Sequence, residues 1–288
     1  MQLTETAHAK LNLALHVRQR RADGYHELET VFAFTEAGDE LSVAAADDFS
    51  LTITGPFSQE LDTGPDNLVL KAAKALADAA GIRTGAAFTL DKRLPIASGI
   101  GGGSADAAAA LRLVARLWAL DTVRPMDVAA NIGADVPACV LSQSCFGTGV
   151  GERLVPFDGS RLTGLPVLLV NPLKACPTGP VFKAWDGVDR GSLRPEGWME
   201  GRNDLQAPAR RLVPEIGTVL EELDQQAGVR LSRFDSTTLT RCTGGKAHIV
   251  MDVQRTRLVV GIELIVALVE NHGVVPTQLG GEHSPSVV

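Results

Sequence analysis

The chain has 288 residues, 45% of them hydrophobic, which is enough to bury the core of one large domain or of two moderate ones. Its formal net charge of -7 argues against nucleic acid or an anionic membrane as the main partner, so we expect a small ligand. Residues 1–10 are polar and unlike a signal peptide, and the longest apolar stretch, 258–269, contains Glu263 and is too short to span a bilayer. We therefore expect a cytoplasmic protein.

The first half of the chain is predicted to be an α+β domain that ends near Arg153. Alternating apolar runs predict strands over residues 11–17, 28–34, 41–45, 51–54 and 87–91. Helical spacing of apolar residues predicts helices over residues 67–80, 104–120 and 127–132, the first and last of which end at glycines. The four cysteines and six histidines show no metal-ligand spacing, so we predict reduced cysteines and no metal centre built from protein ligands.

After Arg153 the pattern restarts and predicts a second domain over residues 154–233. Its predicted elements are a strand over residues 167–171 and helices over residues 177–185, 205–212 and 214–226. A loop rich in Gly, Pro, Asp and Arg, residues 186–201, separates the first of these helices from the others.

Four glycines lie between Leu94 and the helix predicted at Ser104. Glycines let backbone amides approach a phosphate, and the start of the helix directs its positive dipole end at the same point. The segment is not a Walker A loop, because Ser104 and Ala105 follow Gly103 where that motif has Lys and Ser or Thr. It does not read as a dinucleotide fingerprint either, because Asp121 follows a long helix instead of a strand. The pattern favours a phosphate cradle, with a structural turn as the alternative.

Three further clusters combine polar groups with local turns or alternation. Lys10 and Asn12 share one face of a predicted strand, which suits either a solvated edge or a site. Tyr25 and His26 follow a predicted turn, which suits either a hairpin flank or a surface that stacks on a base and hydrogen-bonds its edge. Asp135 lies between a glycine and a proline, which is typical of an ordinary turn unless a partner gives it a function.

These clusters occur together and in order, and with them the chain closely resembles the 4-diphosphocytidyl-2-C-methyl-D-erythritol kinase family of the GHMP kinase superfamily. Five segments carry the resemblance: residues 9–13, 21–28, the glycine loop 94–106, 133–137 and 201–205. It extends from about Thr4 to Arg233, and the segment with Tyr25 and His26 distinguishes this family from other GHMP kinases. The resemblance implies ATP-dependent phosphorylation of the 2-hydroxyl of 4-diphosphocytidyl-2-C-methyl-D-erythritol, in the non-mevalonate isoprenoid pathway, by a monomer or homodimer with ATP and Mg²⁺ as cofactors.

The fold implied by the resemblance is the two-domain α+β GHMP kinase fold. Its N-terminal domain is similar to part of a ribosomal protein, its C-terminal domain is ferredoxin-like, and the active site lies in the cleft between them. Lys10 and Asp135 match the family's catalytic pair, in which a carboxylate accepts the proton of an alcohol or orients it beside an ammonium. Tyr25 and Phe182 are implied to stack on cytosine, with His26 reading its edge.

The resemblance implies that the remaining site residues contact either the substrate or the nucleotide. Asn12 is expected near the reacting hydroxyl, and Trp185 belongs either to the cytidine pocket or to the core. Glu152 is interpreted as structural. The residues expected to bind ATP are Asn67, Pro95, Ala97, Ser98, Gly99, Ile100, Gly101, Gly102, Gly103 and Ser104, of which Ser104 is expected nearest Mg²⁺.

The sequence departs from the family after Arg233. The family continues with Gly-Ser-Gly-Ala-Thr or a close variant, whereas residues 234–240 contain no Gly-X-Gly, and Gly244 and Gly245 lie too far on. We expect residues 234–288 to pack poorly against the preceding domain. Two functions remain open: an active kinase, and a kinase-like protein that binds substrate or ATP with little turnover. A GHMP kinase for another small alcohol is a further alternative, although such an enzyme would lack the pair formed by Tyr25 and His26.

Overall fold

Two long antiparallel strands, β1 (Gln2–Arg20) and β2 (His26–Ala46), form the centre of the first half of the chain. The computed structural model describes residues 2–59, 61–96, 98–165, 167–170, 172, 174, 176–225, 229–233 and 265–269. Four shorter strands complete a six-stranded sheet: β3 (Ser50–Thr54), β4 (Gly85–Asp91), β5 (Cys145–Gly149) and β6 (Arg153–Pro156). β1 covers one edge of β2, while β4 and β5 pair with different parts of its other edge. β3 runs parallel to β4, and β6 runs antiparallel to β5.

Both long strands extend well beyond the strands predicted from the sequence. Ala7 and Ala9 are fully buried, although the segment around them is polar in composition. Between the two predicted parts of β2, Gly38 lies opposite His8, and a side chain on Gly38 would collide with the carbonyl oxygen of Ala7. A β-bulge follows between His8 and Lys10. The small residues therefore let β1 continue beside β2 where alternation of apolar residues gives no signal.

Four helices pack on one face of this sheet: α1 (Leu68–Ala80), α2 (Gly102–Leu117), α3 (Pro125–Ile132) and α4 (Val136–Leu141). The predicted ends of α1 are confirmed, since the Asn67 side chain accepts the amide of Val69 and Gly81 closes the helix at φ 68°. Buried alanines of α2 let that helix approach the sheet closely. In the part of the chain that is described, no helix is long and apolar enough to cross a membrane.

The second half of the chain adds a smaller sheet and further helices. Its elements are β7 (Val167–Val170), α5 (Thr178–Lys183), a 3-10 helix (Pro195–Glu200), α6 (Gln206–Leu212), α7 (Pro214–Gln225), β8 (Val229–Arg233) and β9 (Ile265–Val269). β9 lies between β7 and β8, and both pairings are antiparallel. Apart from β9, residues 234–288 lie outside the described residues, so the expected loose packing of this segment stays a prediction.

The two halves meet along β1. The Leu15 amide donates to the carbonyl of Arg202, and the Leu15 carbonyl accepts the amide of Asp204, both at 2.9 Å. The Asp204 carboxylate also accepts the amide of Val17 at 2.9 Å. Leu15 and Val17 are buried in the core of the second half, beside Trp185. The segment 201–205 thus attaches the second half to β1; the predicted α+β fold class is confirmed, and the domain limits at 153 and 233 stay predictions.

His16, which lies at this junction, is expected to make stability depend on pH. Burial and the charge of Arg202 lower the pKa of His16 below 6.5. Its Nδ1 lies 3.0 Å from the carbonyl of Gly191 and its Nε2 accepts the Arg202 amide at 3.2 Å, so the neutral ring satisfies both contacts. The unfolded chain takes up a proton near pH 6.5, whereas the folded chain does so only at lower pH. The free energy of unfolding should therefore fall as pH decreases from about 6.5 through the lowered folded pKa.

The variant His16→Gln should show a flatter pH dependence in that window, because it removes this titrating group. Urea unfolding at several values between about pH 7.5 and 5 measures the slope. A slope equal to that of the parent protein would contradict the role given to His16.

Candidate active site

Lys10 is a charged side chain held inside the protein at the middle of β1. It is only 1% exposed, and its Nζ donates to Oδ1 of Asn12 at 2.6 Å. Asn12 in turn donates to the hydroxyl of Thr30 at 3.1 Å, and Thr30 donates to the carbonyl of Ala14 at 2.8 Å. The predicted shared face of Lys10 and Asn12 is thus observed. This chain of hydrogen bonds gives the ammonium a defined direction.

Asp135 meets this ammonium from the N-cap position of α4, directly before the helix begins. Its Oδ2 lies 3.2 Å from Nζ of Lys10, and the same Nζ lies 5.1 Å from the ring centre of Phe32. The two partners differ in exposure, since the Lys10 side chain is 1% exposed and that of Asp135 is 38% exposed. A buried cation therefore supports a carboxylate that remains open to a ligand.

Two cavities meet at this carboxylate. One has a volume of about 400 Å³ and the other of about 510 Å³. Ser104, Asp135 and Thr178 line both of them. Lys10 and Asn12 line the first cavity, and the glycine loop lines the second. The arrangement can hold two ligands with their reactive ends on either side of Asp135.

The first cavity contains the predicted cytosine-binding residues. Tyr25, 60% exposed, and Phe182 both line it, together with His26. The rings of His26 and Phe182 have centres 5.1 Å apart and are tilted by 36°. Trp185 is 4% exposed and packs edge-on against His26 at 5.7 Å, as expected for a core residue that supports the site.

The hydrogen bonds of His26 assign its tautomer. Burial and the charge of Arg20 lower the pKa of His26, so the ring is neutral near pH 7. Nε of Arg20 donates to Nε2 of His26 at 3.3 Å, which leaves the ring proton on Nδ1. His26 can therefore donate one hydrogen bond to an acceptor on a ligand.

A tight turn presents Tyr25 at the mouth of this cavity. Oδ1 of Asp23 accepts the Tyr25 amide at 3.1 Å, and the Arg21 guanidinium binds the same carboxylate at 2.7 Å. Gly24 has φ 88°, a left-handed conformation that favours glycine. The turn predicted before Tyr25 therefore also supports an exposed aromatic ring.

The second cavity is formed by the glycine loop and the start of α2. Gly101 has φ 66°, a left-handed conformation that favours glycine, and a Cβ there would make a tight contact of 3.2 Å with the side chain of Lys10. The carbonyl of Ile100 accepts the amide of Lys10 at 2.9 Å, and the buried Ile100 side chain anchors the loop. Ser98 donates to the carbonyl of Pro95 at 2.7 Å. The loop thus rests directly on the strand that carries the ammonium.

A buried cluster of three charged side chains lies against the glycine loop and is formed by Lys92, Asp39 and Asp106. Nζ of Lys92 lies 2.5 Å from Asp39 and 2.7 Å from Asp106, and all three residues are at most 4% exposed. A Cβ on Gly102 would lie 3.1 Å from the same Nζ. Asp39 also accepts the amides of Arg93 and Leu94, at 2.6 and 2.7 Å.

The two carboxyl groups of this cluster have different environments. Among the described residues, the buried Oδ1 of Asp106 meets no hydrogen-bond donor, whereas Asp39 is held by backbone amides. Burial raises the pKa of Asp106 to about 7, although Lys92 partly offsets the effect. Burial alone would lower the pKa of Lys92, but the two carboxylates raise it. Asp106 is therefore the carboxyl group of this cluster that takes up a proton first as the pH falls.

The other predicted nucleotide-binding residues lie around the same cavity. Those that line it are Asn67, Pro95, Ser98, Gly99, Gly101, Gly102, Gly103 and Ser104, whereas Ala97 lies outside the described residues. Asn67 also bonds backbone groups, because its amide donates to the Asp62 carbonyl at 2.8 Å and its oxygen caps α1. Glu152, interpreted as structural, accepts the amide of Val150 at 2.7 Å.

Sequence reasoning missed Thr178 and the cluster of Lys92, Asp39 and Asp106. Thr178 begins α5 and lines both cavities, but a lone threonine after a proline carries no signal of its own. Asp106 gives a weak signal, since it is an acid within the alanine-rich helix α2. Asp39, which shares the Lys92 ammonium with Asp106, is remote from both in sequence, so the cluster depends on the fold.

The site can take Mg²⁺ together with phosphates. Within the described ranges, no group of three or more His, Cys, Asp or Glu side chains could hold a metal ion. Mg²⁺ usually binds one or two protein oxygens and the phosphates of its nucleotide. The hydroxyl of Ser104, which lines the second cavity, fits that requirement.

Comparisons with known proteins agree with this geometry. The GHMP kinases N terminal domain family matches residues 67–143. A 4-diphosphocytidyl-2-C-methyl-D-erythritol kinase from Rhizorhabdus wittichii is 52% identical over 248 residues, which cover 83% of this chain and 84% of the relative. The protein of the same name from Novosphingobium aromaticivorans is 54% identical over 235 residues, covering 79% of each. A crystal structure of 4-(cytidine 5'-diphospho)-2C-methyl-D-erythritol kinase has 34% identity and a TM-score of 0.65, over 82% of this chain and 88% of that chain.

Proposed function

The chain belongs to the 4-diphosphocytidyl-2-C-methyl-D-erythritol kinase family of GHMP kinases, and from this we propose that it phosphorylates the 2-hydroxyl of that cytidine diphosphate alcohol with ATP. One observation carries the proposal for the site: the two cavities meet at Asp135, whose carboxylate is paired with the buried ammonium of Lys10. The first cavity takes the alcohol and the second takes ATP. We place this reaction in the cytoplasm and in the non-mevalonate isoprenoid pathway.

Asp135 accepts the proton of the reacting hydroxyl or orients that hydroxyl for attack. An alcohol is a poor nucleophile near pH 7, and a half-exposed carboxylate at the junction of the cavities can reach it. Lys10 holds the carboxylate and contributes positive charge beside the transferred phosphoryl group. Asn12, which bonds Lys10, faces the alcohol in the first cavity.

The glycine loop and the start of α2 bind the phosphates of ATP. Backbone amides at a helix N-terminus favour anions, and the loop residues around Gly101 keep those amides free of side-chain obstruction. Ser104 is the residue that would hold Mg²⁺ beside ATP, where the ion would supply positive charge to the phosphates. Asn67 lines this cavity, and we expect it to lie close to the adenine.

The cytidine end of the substrate binds between Tyr25 and Phe182. Both rings line the first cavity, and an aromatic ring can stack on the face of a base without hydrogen bonds to that base. Specificity for cytosine comes from His26, whose Nδ1 proton suits an acceptor on the base edge.

Loss of the Gly-X-Gly sequence after Arg233 favours a second candidate, a protein that binds ATP or the cytidine substrate but turns over slowly. A coupled assay for ADP release distinguishes the two. ADP formed in proportion to added 4-diphosphocytidyl-2-C-methyl-D-erythritol supports the kinase. Binding of both ligands without substrate-dependent ADP would support the second candidate, and ADP formed faster with homoserine or a sugar would overturn the assigned substrate.

Replacement of Tyr25 by Ala should raise KM for the cytidine substrate by about 5- to 100-fold, because one stacking surface is lost. The ring is 60% exposed, so the fold should tolerate the change, and KM for ATP should stay near the parent value. Steady-state kinetics with each substrate varied in turn measures both constants. The matched control, Tyr25→Phe, keeps the ring and should behave like the parent; equal KM values in Tyr25→Ala and Tyr25→Phe would contradict stacking.

A further inference from the structure

A single arginine of α2 holds the end of the helix that carries Asp135. Nη1 of Arg112 donates to the carbonyl oxygens of Cys139 and Val140, at 2.6 and 3.1 Å. These two carbonyls belong to the last turn of α4, where a helix has no backbone donors of its own to offer. A cation is also favoured at this end of a helix by the helix dipole. The position of α4 therefore depends on Arg112.

The same guanidinium reaches the strand that carries Lys10. Nε of Arg112 forms an ion pair with Oε1 of Glu5, and Glu5 lies on β1, five residues before Lys10. The side chains of Arg112 and Glu5 are 21% and 19% exposed, so the pair is largely shielded from water. One side chain thus joins the strand of the ammonium to the helix of the carboxylate.

A backbone connection transmits this contact to Asp135. The amide of Cys139 donates to the carbonyl of Asp135 at 3.1 Å, while the carbonyl of Cys139 accepts from Arg112. The Asp135 side chain makes no capping hydrogen bond to α4. Its position at 3.2 Å from Lys10 is therefore set largely by where the backbone of α4 lies.

We propose that Arg112 is a positioning residue for phosphoryl transfer, which keeps α4 against β1 and so maintains the separation of Lys10 and Asp135. The proposal rests on the roles given above to those two residues. Arg112 itself lies outside both cavities, and it acts only through α4 and Glu5. Misplacement of a reacting group by about 1 Å can lower a rate by about 100-fold, so a modest shift of α4 has a measurable effect.

The chain offers a matched control on the same helix. Arg116 lies one turn further along α2, and its Nη2 is 3.0 Å from Oε2 of Glu5. Arg116 is 53% exposed and, within the described part of the chain, pairs with Glu5 only, whereas Arg112 also binds the carbonyls of α4. Comparison of Arg112→Met with Arg116→Met therefore separates the contact with α4 from the loss of a charge near Glu5.

Two measurements test the proposal. Arg112→Met should lower kcat by about 10- to 100-fold with KM for ATP within about threefold of the parent, Arg112→Lys should recover part of the loss, and Arg116→Met should match the parent. Hydrogen exchange should show faster exchange of the α4 amides in Arg112→Met than in Arg116→Met.

The exchange measurement does not require activity, so it decides the structural part of the proposal even if the parent protein shows no turnover. Absence of turnover in the parent would count against the proposed function and not against the role of Arg112. Equal exchange in the two variants would overturn the proposal, as would equal kcat values. If Arg112→Met fails to fold, Arg112→Lys takes its place in both comparisons, and parent-like kcat and α4 exchange in that variant would overturn the proposal.

Discussion

Replacement of Asp135 by Asn is expected to lower kcat by about 10²- to 10⁴-fold, because an amide cannot accept the proton of the substrate hydroxyl. The change is nearly isosteric, and the amide oxygen can still accept a hydrogen bond from Lys10, which lies 3.2 Å from the carboxylate. Since the side chain is 38% exposed, the variant should fold like the parent. KM for ATP should change little, because the phosphates are bound mainly by the loop and α2.

Asp127→Asn is the control for a general effect of removing a carboxylate. Asp127 is 39% exposed and pairs with Arg124 on α3, away from both cavities. Steady-state ADP release compares the two variants with the parent. A kcat for Asp135→Asn equal to that for Asp127→Asn would remove the catalytic role from Asp135.

The second large effect is on stability. Replacement of Lys92 by Met should lower the free energy of unfolding by about 3–5 kcal/mol, because it leaves two buried carboxyl groups without their cation. Asp39 is 0% exposed and Asp106 is 4% exposed, so both carboxyl groups are poorly hydrated. The measurement belongs at about pH 8 and above, because loss of Lys92 raises the pKa of Asp106 beyond the value of about 7 that it has beside this cation, and a protonated Asp106 reduces the loss.

Arg93→Met provides the matched control, one residue along the chain. The Arg93 side chain is 46% exposed and pairs with Asp91 and Glu40 at the surface, where an ion pair contributes little to stability. Urea unfolding of both variants gives the comparison. If Lys92→Met were as stable as Arg93→Met at this pH, the contribution of the buried cluster to the free energy of unfolding would not depend on the Lys92 ammonium.

Elements with their own terminal signals could be predicted from the sequence. Asn67 and Gly81 mark the ends of α1, and both occupy the cap positions expected of them. The long strands could not be predicted to full length, because Ala7, Ala9 and Gly38 make the paired region small and polar in composition. β2 consequently joins two strands that the sequence predicts separately.

The candidate site was predictable where its residues are close in sequence. Lys10 and Asn12 alternate on one strand, so their shared face follows from the period of a strand, and their hydrogen bond agrees with it. The approach of Asp135 to Lys10 follows from packing of α4 beside β1, and local pattern alone did not predict it; the family resemblance supplied that pairing. No pattern linked Asp39 to Lys92, because their contact is made between distant parts of the chain.

The most direct test of the central claim is the position of the phosphoryl group in the product. The substrate's 2-hydroxyl is on a carbon that bears a methyl group and no hydrogen, so a phosphate ester there gives an unsplit signal in a proton-coupled phosphorus NMR spectrum. We expect one new monoester singlet that grows in step with ADP when the parent protein is mixed with ATP, Mg²⁺ and 4-diphosphocytidyl-2-C-methyl-D-erythritol. A split monoester signal would mean transfer to another hydroxyl, and no new signal while both ligands bind would contradict the assignment of an active kinase.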